Sequence, residues 1–137
     1  MEKHFELTDR EFETQFENLT LNPALFSHEA HIRLAWIHIN QYGLNQAIEN
    51  ISTQIKAFAA FHGDADKYNH TVTIAAVRAV YHFILKAGID NFSDFISTHP
   101  RLKTSFRQLI EAHYSTNIFA SLLAKDAYLE PDLLPFD

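Results

Sequence analysis

The sequence of 137 residues contains no cysteine. Disulfides, thiolate catalysis and cysteine-bound metals are therefore excluded, and a metal would need histidine or carboxylate ligands. The lack of cysteine also fits a cytoplasmic protein, which is the location we predict.

Glycine and proline are scarce as well, with three and four residues. These are too few turn residues for a many-stranded sandwich or barrel, so helices are favoured. The apolar content of 47% excludes intrinsic disorder, and twelve phenylalanines supply enough surface for a core. We predict a single all-α domain over residues 1–137.

The chain also lacks an excess of basic charge and a long apolar run. Eleven basic residues against seventeen acidic ones give a net charge of −6, so nucleic acid is not an expected partner. The start of the chain has no apolar stretch of the signal-peptide type, and the longest apolar segment, 74–85, is interrupted by Arg78 and His82. Neither secretion nor a membrane span is expected.

Helical periodicity predicts one bundle of about five to seven helices followed by an extended C-terminal tail from Tyr128. The glycines are typical of helix ends, so helices should stop at Gly43, Gly63 and Gly88. Residues that favour helix starts stand before the apolar stripes. The predicted starts are Thr8 with a capping box, Ser27, Asn45, Asn69, Asp90 and Pro100, and a last helix should cover 117–127.

Nine histidines are many for this length, and two of them suggest a metal site. His28 and His31 are three residues apart, which places their β-carbons about 5 to 6 Å apart on one helix face. Short connections make consecutive helices antiparallel, so His70, at the start of the fourth helix, should lie at the same end of the bundle. His62 and His113 are expected to arrive there too.

We therefore predict that His28, His31 and His70 bind a divalent metal, with zinc, iron and manganese as candidates. Three protein ligands leave a coordination position for water or a small-molecule substrate, so metal-assisted chemistry is the leading functional hypothesis. Tyr68, Thr71 and Thr73 are candidates for hydrogen bonds that orient the imidazoles. The sequence leaves open whether the protein is an enzyme.

Two other functions remain open. Two helix N-termini together with Arg33 and Lys67 suit a small anionic ligand, which would make the protein a non-enzymatic binding module. Alternatively, the histidines and the tail serve a homodimer or another partner surface. The remaining histidines, His4, His38, His82 and His99, are expected to pack at the surface or at the edge of the core. Glu29 is expected on the opposite side of its helix from His28 and His31.

Three segments resemble a family of small bacterial all-helical proteins to which no activity is attached. They are Phe26-Ser27-His28-Glu29-Ala30-His31-Ile32-Arg33-Leu34-Ala35-Trp36, Lys67-Tyr68-Asn69-His70-Thr71-Val72-Thr73 and Glu130-Pro131-Asp132-Leu133-Leu134-Pro135. The family pairs a Phe-x-His-x-x-His-x-Arg-x-Ala-Trp segment with a Tyr-His-x-Thr-x-Thr segment. The resemblance implies site roles for His28, His31, Arg33, Tyr68, Thr71 and Thr73. This chain departs from the pattern at Asn69, where the family has histidine, and His70 follows one residue later.

Overall fold

The computed structural model describes residues 1–87 and 89–136. Over these residues the secondary structure is helical throughout, without a strand, which confirms the all-α prediction. The α-helices are α1 (Asp9–Glu17), α2 (His28–Tyr42), α3 (Leu44–Phe61), α4 (His70–Lys86), α5 (Phe92–Thr98), α6 (Arg101–Thr104), α7 (Phe106–Glu111) and α8 (Leu122–Asp126). Short 3₁₀ helices cover Lys3–Glu6, Pro23–Leu25 and Ala65–Lys67.

The chain divides into two compact units, of which the first is Met1–Tyr68 and the second begins at Asn69. Each unit is described by itself, and the single domain stays a prediction. No helix in the described parts of the chain has the length and apolar character needed to cross a membrane.

The first unit is built on α2 and α3, which pack along each other with α1 against both. A single residue, Gly43 (φ 83°), joins the two long helices and turns the chain back. Aromatic side chains fill the space between the helices: the Phe16 ring lies 4.5 Å from that of Phe26 and 4.7 Å from that of Phe58. The start of α2 and the end of α3 therefore lie at the same end of this unit.

The first helix begins with the predicted capping box. The Thr8 hydroxyl accepts the Glu11 N–H at 3.1 Å, and the Glu11 carboxylate accepts the Thr8 N–H at 2.9 Å. These bonds satisfy two backbone donors that the helix itself cannot pair.

Replacing this cap should destabilise the protein measurably. Thr8→Ala is expected to lower the free energy of unfolding by about 1 kcal/mol, because an N–H at the start of α1 loses its acceptor. Urea unfolding followed by circular dichroism measures the loss. Thr53→Ala, an exposed position within α3, is the control and should be neutral or slightly stabilising. Equal losses for both variants would contradict a specific capping effect.

The second unit packs α7 and α8 against α4. Its buried side chains come from every helix and from the segment after α7: Val77, Val80, Phe95, Leu102, Ile110, Ile118 and Ala124. After α8 the chain runs without a helix to Phe136 and hydrogen-bonds to the residues following α7. The Leu133 N–H donates to the His113 carbonyl at 3.1 Å, and the Ser115 N–H donates to Asp132 Oδ1 at 2.9 Å. That this segment forms an extended tail stays a prediction.

Several predicted boundaries differ from the structure. Asn45 lies inside α3, whose start follows Gly43, and the cap before α5 is Asn91, one residue after the predicted Asp90. Pro100 precedes α6 instead of occupying its first position. The helix expected after Pro100 breaks at Ser105 into α6 and α7, which adds a helix to the predicted number.

The last helix starts later than predicted, and the predicted end of α4 lies at a residue outside the described ones. The last helix begins at Leu122, because Ser121 supplies the cap, whereas Asn117 caps only a turn by accepting the Phe119 N–H. The predicted helix end at Gly88 lies outside the described residues.

Candidate functional site

The first unit contains a cavity of about 280 Å³ that brings together His31 and His62. We call it the His31–His62 cavity. Its wall is mostly apolar, with Phe26, Ile55 and Phe58. The polar groups that line it are His31, His62, Asp64, Lys67 and Tyr68.

The helix pair α2 and α3 positions both imidazoles. His31 lies in the first turn of α2, where the Ser27 hydroxyl caps the helix by accepting the Ala30 N–H. Its ring stacks on Phe26 with 3.8 Å between centroids. His62 directly follows α3, and its ring lies 4.4 Å from that of Phe58. The two histidines meet because one precedes and the other follows the reversal at Gly43, as the antiparallel argument predicts for His31 and His62.

The two rings differ in their surroundings. Desolvation by the surrounding protein lowers the pKa of His31, and the nearby His28 lowers it further. The residue nevertheless faces solvent, and this water tempers the effect of desolvation. His31 is neutral at pH 7, so a ring nitrogen has a free lone pair. Nε2 of His62 is buried and has no hydrogen-bond partner among the described residues.

The charged residues of the cavity neutralise each other. Lys67 Nζ lies 3.4 Å from Asp64 Oδ1. Both side chains are at least half exposed, so the ion pair contributes little to stability. No unpaired lysine or arginine is therefore found among the described residues that line this cavity.

His28, the first residue of α2, is exposed and lies close enough to His31 to affect its charge. His70 is the first residue of α4 and belongs to the second unit. The trio His28, His31 and His70 therefore stays a prediction. Asn69, the departure from the family pattern, caps α4 by accepting the Val72 N–H at 3.0 Å, and its amide donates to the Ile118 carbonyl at 2.8 Å.

The predicted threonines make hydrogen bonds within the second unit. The buried Thr71 hydroxyl donates to the Ala127 carbonyl at 2.9 Å and accepts the Leu129 N–H at 3.0 Å. The Thr73 hydroxyl donates to the Asn69 carbonyl, one turn earlier, at 2.8 Å. The ligand-binding roles of Thr71, Thr73 and Tyr68 stay predictions.

Arg33 is buried, and protein acceptors account for all five of its N–H groups. Nε donates to Asp9 Oδ1, and the two terminal nitrogens donate to the His4 carbonyl and ring, the Leu7 carbonyl and Asp9 Oδ1 at 2.7 to 3.3 Å. The guanidinium also lies 5.0 Å from the centre of the Phe12 ring. These contacts tie the N-terminal segment to α2, and the ligand-binding role of Arg33 stays a prediction.

His4, which the sequence places at the surface or the core edge, is fully buried in a polar cluster. Its Nε2 lies 3.1 Å from Glu29 Oε1 and 3.8 Å from Glu2 Oε1. Glu2, His4 and Glu29 form the one group of three close metal-ligand atoms in the described residues. No sequence pattern reveals this group, because Glu29 lies 25 residues after His4 in the chain.

Hydrogen bonds satisfy this cluster without a metal. Arg33 donates to Nδ1 of His4, so the ring proton is on Nε2 and is donated to Glu29. Glu2 also accepts from the Ser27 hydroxyl. Burial lowers the pKa of His4, which keeps the ring neutral at pH 7. A cation here would displace the Nε2 proton and stand close to Arg33, and both effects oppose binding.

His113 does not follow the predicted pattern. It lines a different cavity, in the second unit, together with His82. The sequence had placed His113 at the end of the bundle that holds His70, and His82 at the other end. The prediction assumed one straight helix after Pro100. Instead, α6 ends at Thr104 and a separate helix, α7, follows Ser105, so the assumption fails before the chain reaches His113.

No protein-family model, curated protein or solved structure matches this chain. The family resemblance of the three segments stays a prediction.

Proposed function

We propose that the first unit binds a divalent transition-metal ion in the His31–His62 cavity, with the two imidazoles as ligands. One observation carries the proposal: the buried Nε2 of His62 has no protein partner among the described residues, and the His62 side chain lines the same cavity as His31. A buried ring nitrogen without a partner is costly, and an ion would satisfy it.

The charges of the cavity favour a metal over an anion. The anion hypothesis relies on Arg33 and Lys67. The N–H groups of Arg33 are all used by the protein, and Lys67 is paired with Asp64. Neutral imidazoles are good ligands for zinc and iron, whereas they attract anions weakly.

Two imidazoles leave most coordination positions of an ion open. Apart from Glu2, His4 and Glu29, the described residues hold no group of three histidine or carboxylate ligand atoms that lie within 4.8 Å of one another. Water or a small molecule would take these positions, and the bound ion would supply Lewis-acid chemistry. His28, beside His31, remains a candidate additional ligand in this proposal, and Tyr68, which lines the cavity, could contact the small molecule. We place this activity in the cytoplasm, which the lack of cysteine fits.

The proposal is tested by titrating the tag-free full chain with cobalt(II) and recording its visible absorption. We expect one ion per chain with the spectrum of an imidazole complex. His31→Gln and His62→Gln should each weaken binding by at least about tenfold, because each removes a ligand. His82→Gln, in the second unit, is the matched control and should leave binding unchanged.

Two results would overturn the proposal. One is cobalt binding that survives both substitutions in the cavity. The other is cobalt binding that His4→Gln abolishes while His31→Gln and His62→Gln retain it, because the ion would then be at the Glu2, His4 and Glu29 cluster. Circular dichroism of each variant confirms that the helices are intact.

A further inference from the structure

The second unit has its own cavity, of about 440 Å³, with a very different lining. Lys86, Arg101, His82, His113 and Gln108 contribute its polar side chains. None of the described lining residues is acidic, although the chain as a whole carries a net charge of −6. We call it the basic cavity.

The two cations of the basic cavity are available to a ligand. Lys86 and Arg101 are both exposed, and no carboxylate of the described residues forms an ion pair with either. Nearby Arg107 shows the contrast, because Glu111 accepts from it at 2.9 Å. Lys86 stands in the last turn of α4, and Arg101 is the first residue of the four-residue helix α6.

The remaining wall of the basic cavity is apolar and partly aromatic. Phe83, Leu134 and Phe136 line it. His113 stacks on Phe136 with 3.9 Å between ring centroids, and its Nδ1 lies 2.7 Å from the Leu134 carbonyl, which accepts its N–H. This bond places a ring proton on Nδ1. The lining therefore offers positive charge and a rigid aromatic surface in one cavity.

We propose that the basic cavity binds a small organic anion, with one carboxylate, sulfonate or phosphate group attached to an aromatic or aliphatic body. Lys86 and Arg101 pair with the charged group, and the Phe83 and Phe136 rings contact the body. Inorganic anions have no part that uses the apolar wall, and neutral molecules leave the cations without a partner. This site lies in the other unit from the metal site and does not depend on it.

Fluorescence titration of the full chain with anilinonaphthalene sulfonate tests the proposal. This probe is an aromatic sulfonate that brightens in apolar surroundings. We expect saturable binding at one site. Arg101→Gln and Lys86→Gln should each raise the Kd by about tenfold, because each removes a charge-assisted contact. Lys103→Gln removes a positive charge from the same helix as Arg101 but lies outside the cavity, and it should leave the Kd unchanged.

Two further measurements test whether the sulfonate group is needed for binding and in which cavity the probe binds. The uncharged analogue phenylnaphthylamine, which lacks the sulfonate, should bind at least about tenfold more weakly than the sulfonate. His31→Gln should leave sulfonate binding intact, because His31 lines the first cavity. The proposal is overturned if the sulfonate does not bind, if the neutral analogue binds as tightly, or if Arg101→Gln and Lys103→Gln behave alike.

Discussion

Replacing Arg33 by methionine is expected to lower the free energy of unfolding by about 3 kcal/mol. Methionine keeps most of the apolar stem but none of the five N–H groups. The His4 and Leu7 carbonyls then lose their donors at a buried position, and Asp9 loses its ion pair. The segment before α1 is tied to α2 through these bonds, so it should also detach locally. Urea unfolding measures the global loss, and amide hydrogen exchange over residues 3–9 measures the local one.

Asp9→Asn distinguishes the contribution of the ion pair from that of the hydrogen bonds that Arg33 donates to backbone carbonyls. The Asp9 side chain is half exposed, and an exposed partner contributes little, so this variant should lose no more than about 1 kcal/mol. Arg33→Lys keeps the positive charge but cannot reach all of the same acceptors. Its loss of unfolding free energy should lie between those of Arg33→Met and Asp9→Asn. If Arg33→Met loses no more than Asp9→Asn, the carbonyl contacts contribute nothing and the interpretation is wrong.

The second large effect is expected from Thr71→Val, a change of nearly constant volume. We expect a loss of about 2 kcal/mol, because the Ala127 carbonyl loses its donor and the Leu129 N–H loses its acceptor at one buried point. The Leu129 amide proton gives a direct reading, since its exchange with solvent should accelerate. Two-dimensional NMR of the protein in deuterated buffer measures that rate.

Thr73→Val is the matched control on the same helix. Its hydroxyl bonds to the carbonyl of Asn69 within the chain's own helical turn, and such a bond adds little to stability. We expect a change below about 0.5 kcal/mol and normal exchange at Leu129. Similar losses in both variants would mean that the hydrogen bonds of Thr71 to Ala127 and Leu129 do not stabilise the protein more than the local bond of Thr73 does.

The sequence predicts the long helices well and the short ones poorly. The starts after Thr8, Ser27 and Asn69 are confirmed because the capping side chain and the apolar stripe point to the same boundary. After Pro100 the capping side chains and the apolar spacing no longer indicate the same helix boundaries. Ser105 interrupts a run whose apolar spacing is helical, and its backbone leaves the helical region at φ −133° and ψ 29°. The apolar spacing alone gives no sign of this break.

The candidate sites show the same division. His31 and His62 could be paired because two long antiparallel helices fix where their ends lie. The sequence also indicated part of the buried face of α2. Glu29 was expected on the side of the helix opposite His28 and His31, and Arg33 lies one turn after Glu29 on that side. What the sequence could not show is that His4 and Asp9 meet that face. His4 lies in a short 3₁₀ helix and Asp9 at the start of α1, and no local pattern fixes where these residues pack. The basic cavity was missed because it assembles from four separate segments.

The N-cap side chains of the described α-helices carry no charge of their own. Where a side chain caps a described α-helix, that side chain is serine, threonine or asparagine: Thr8, Ser27, Asn69, Asn91 and Ser121. An aspartate cap loses strength when acid protonates it, whereas these side chains do not titrate. Acidification instead acts on imidazoles such as His4 and His38, whose pKa values burial holds below the ordinary value. The unfolded chain takes up these protons more readily than the native one, so acid unfolding of this protein would begin at its buried histidines, while the N-cap side chains themselves do not titrate.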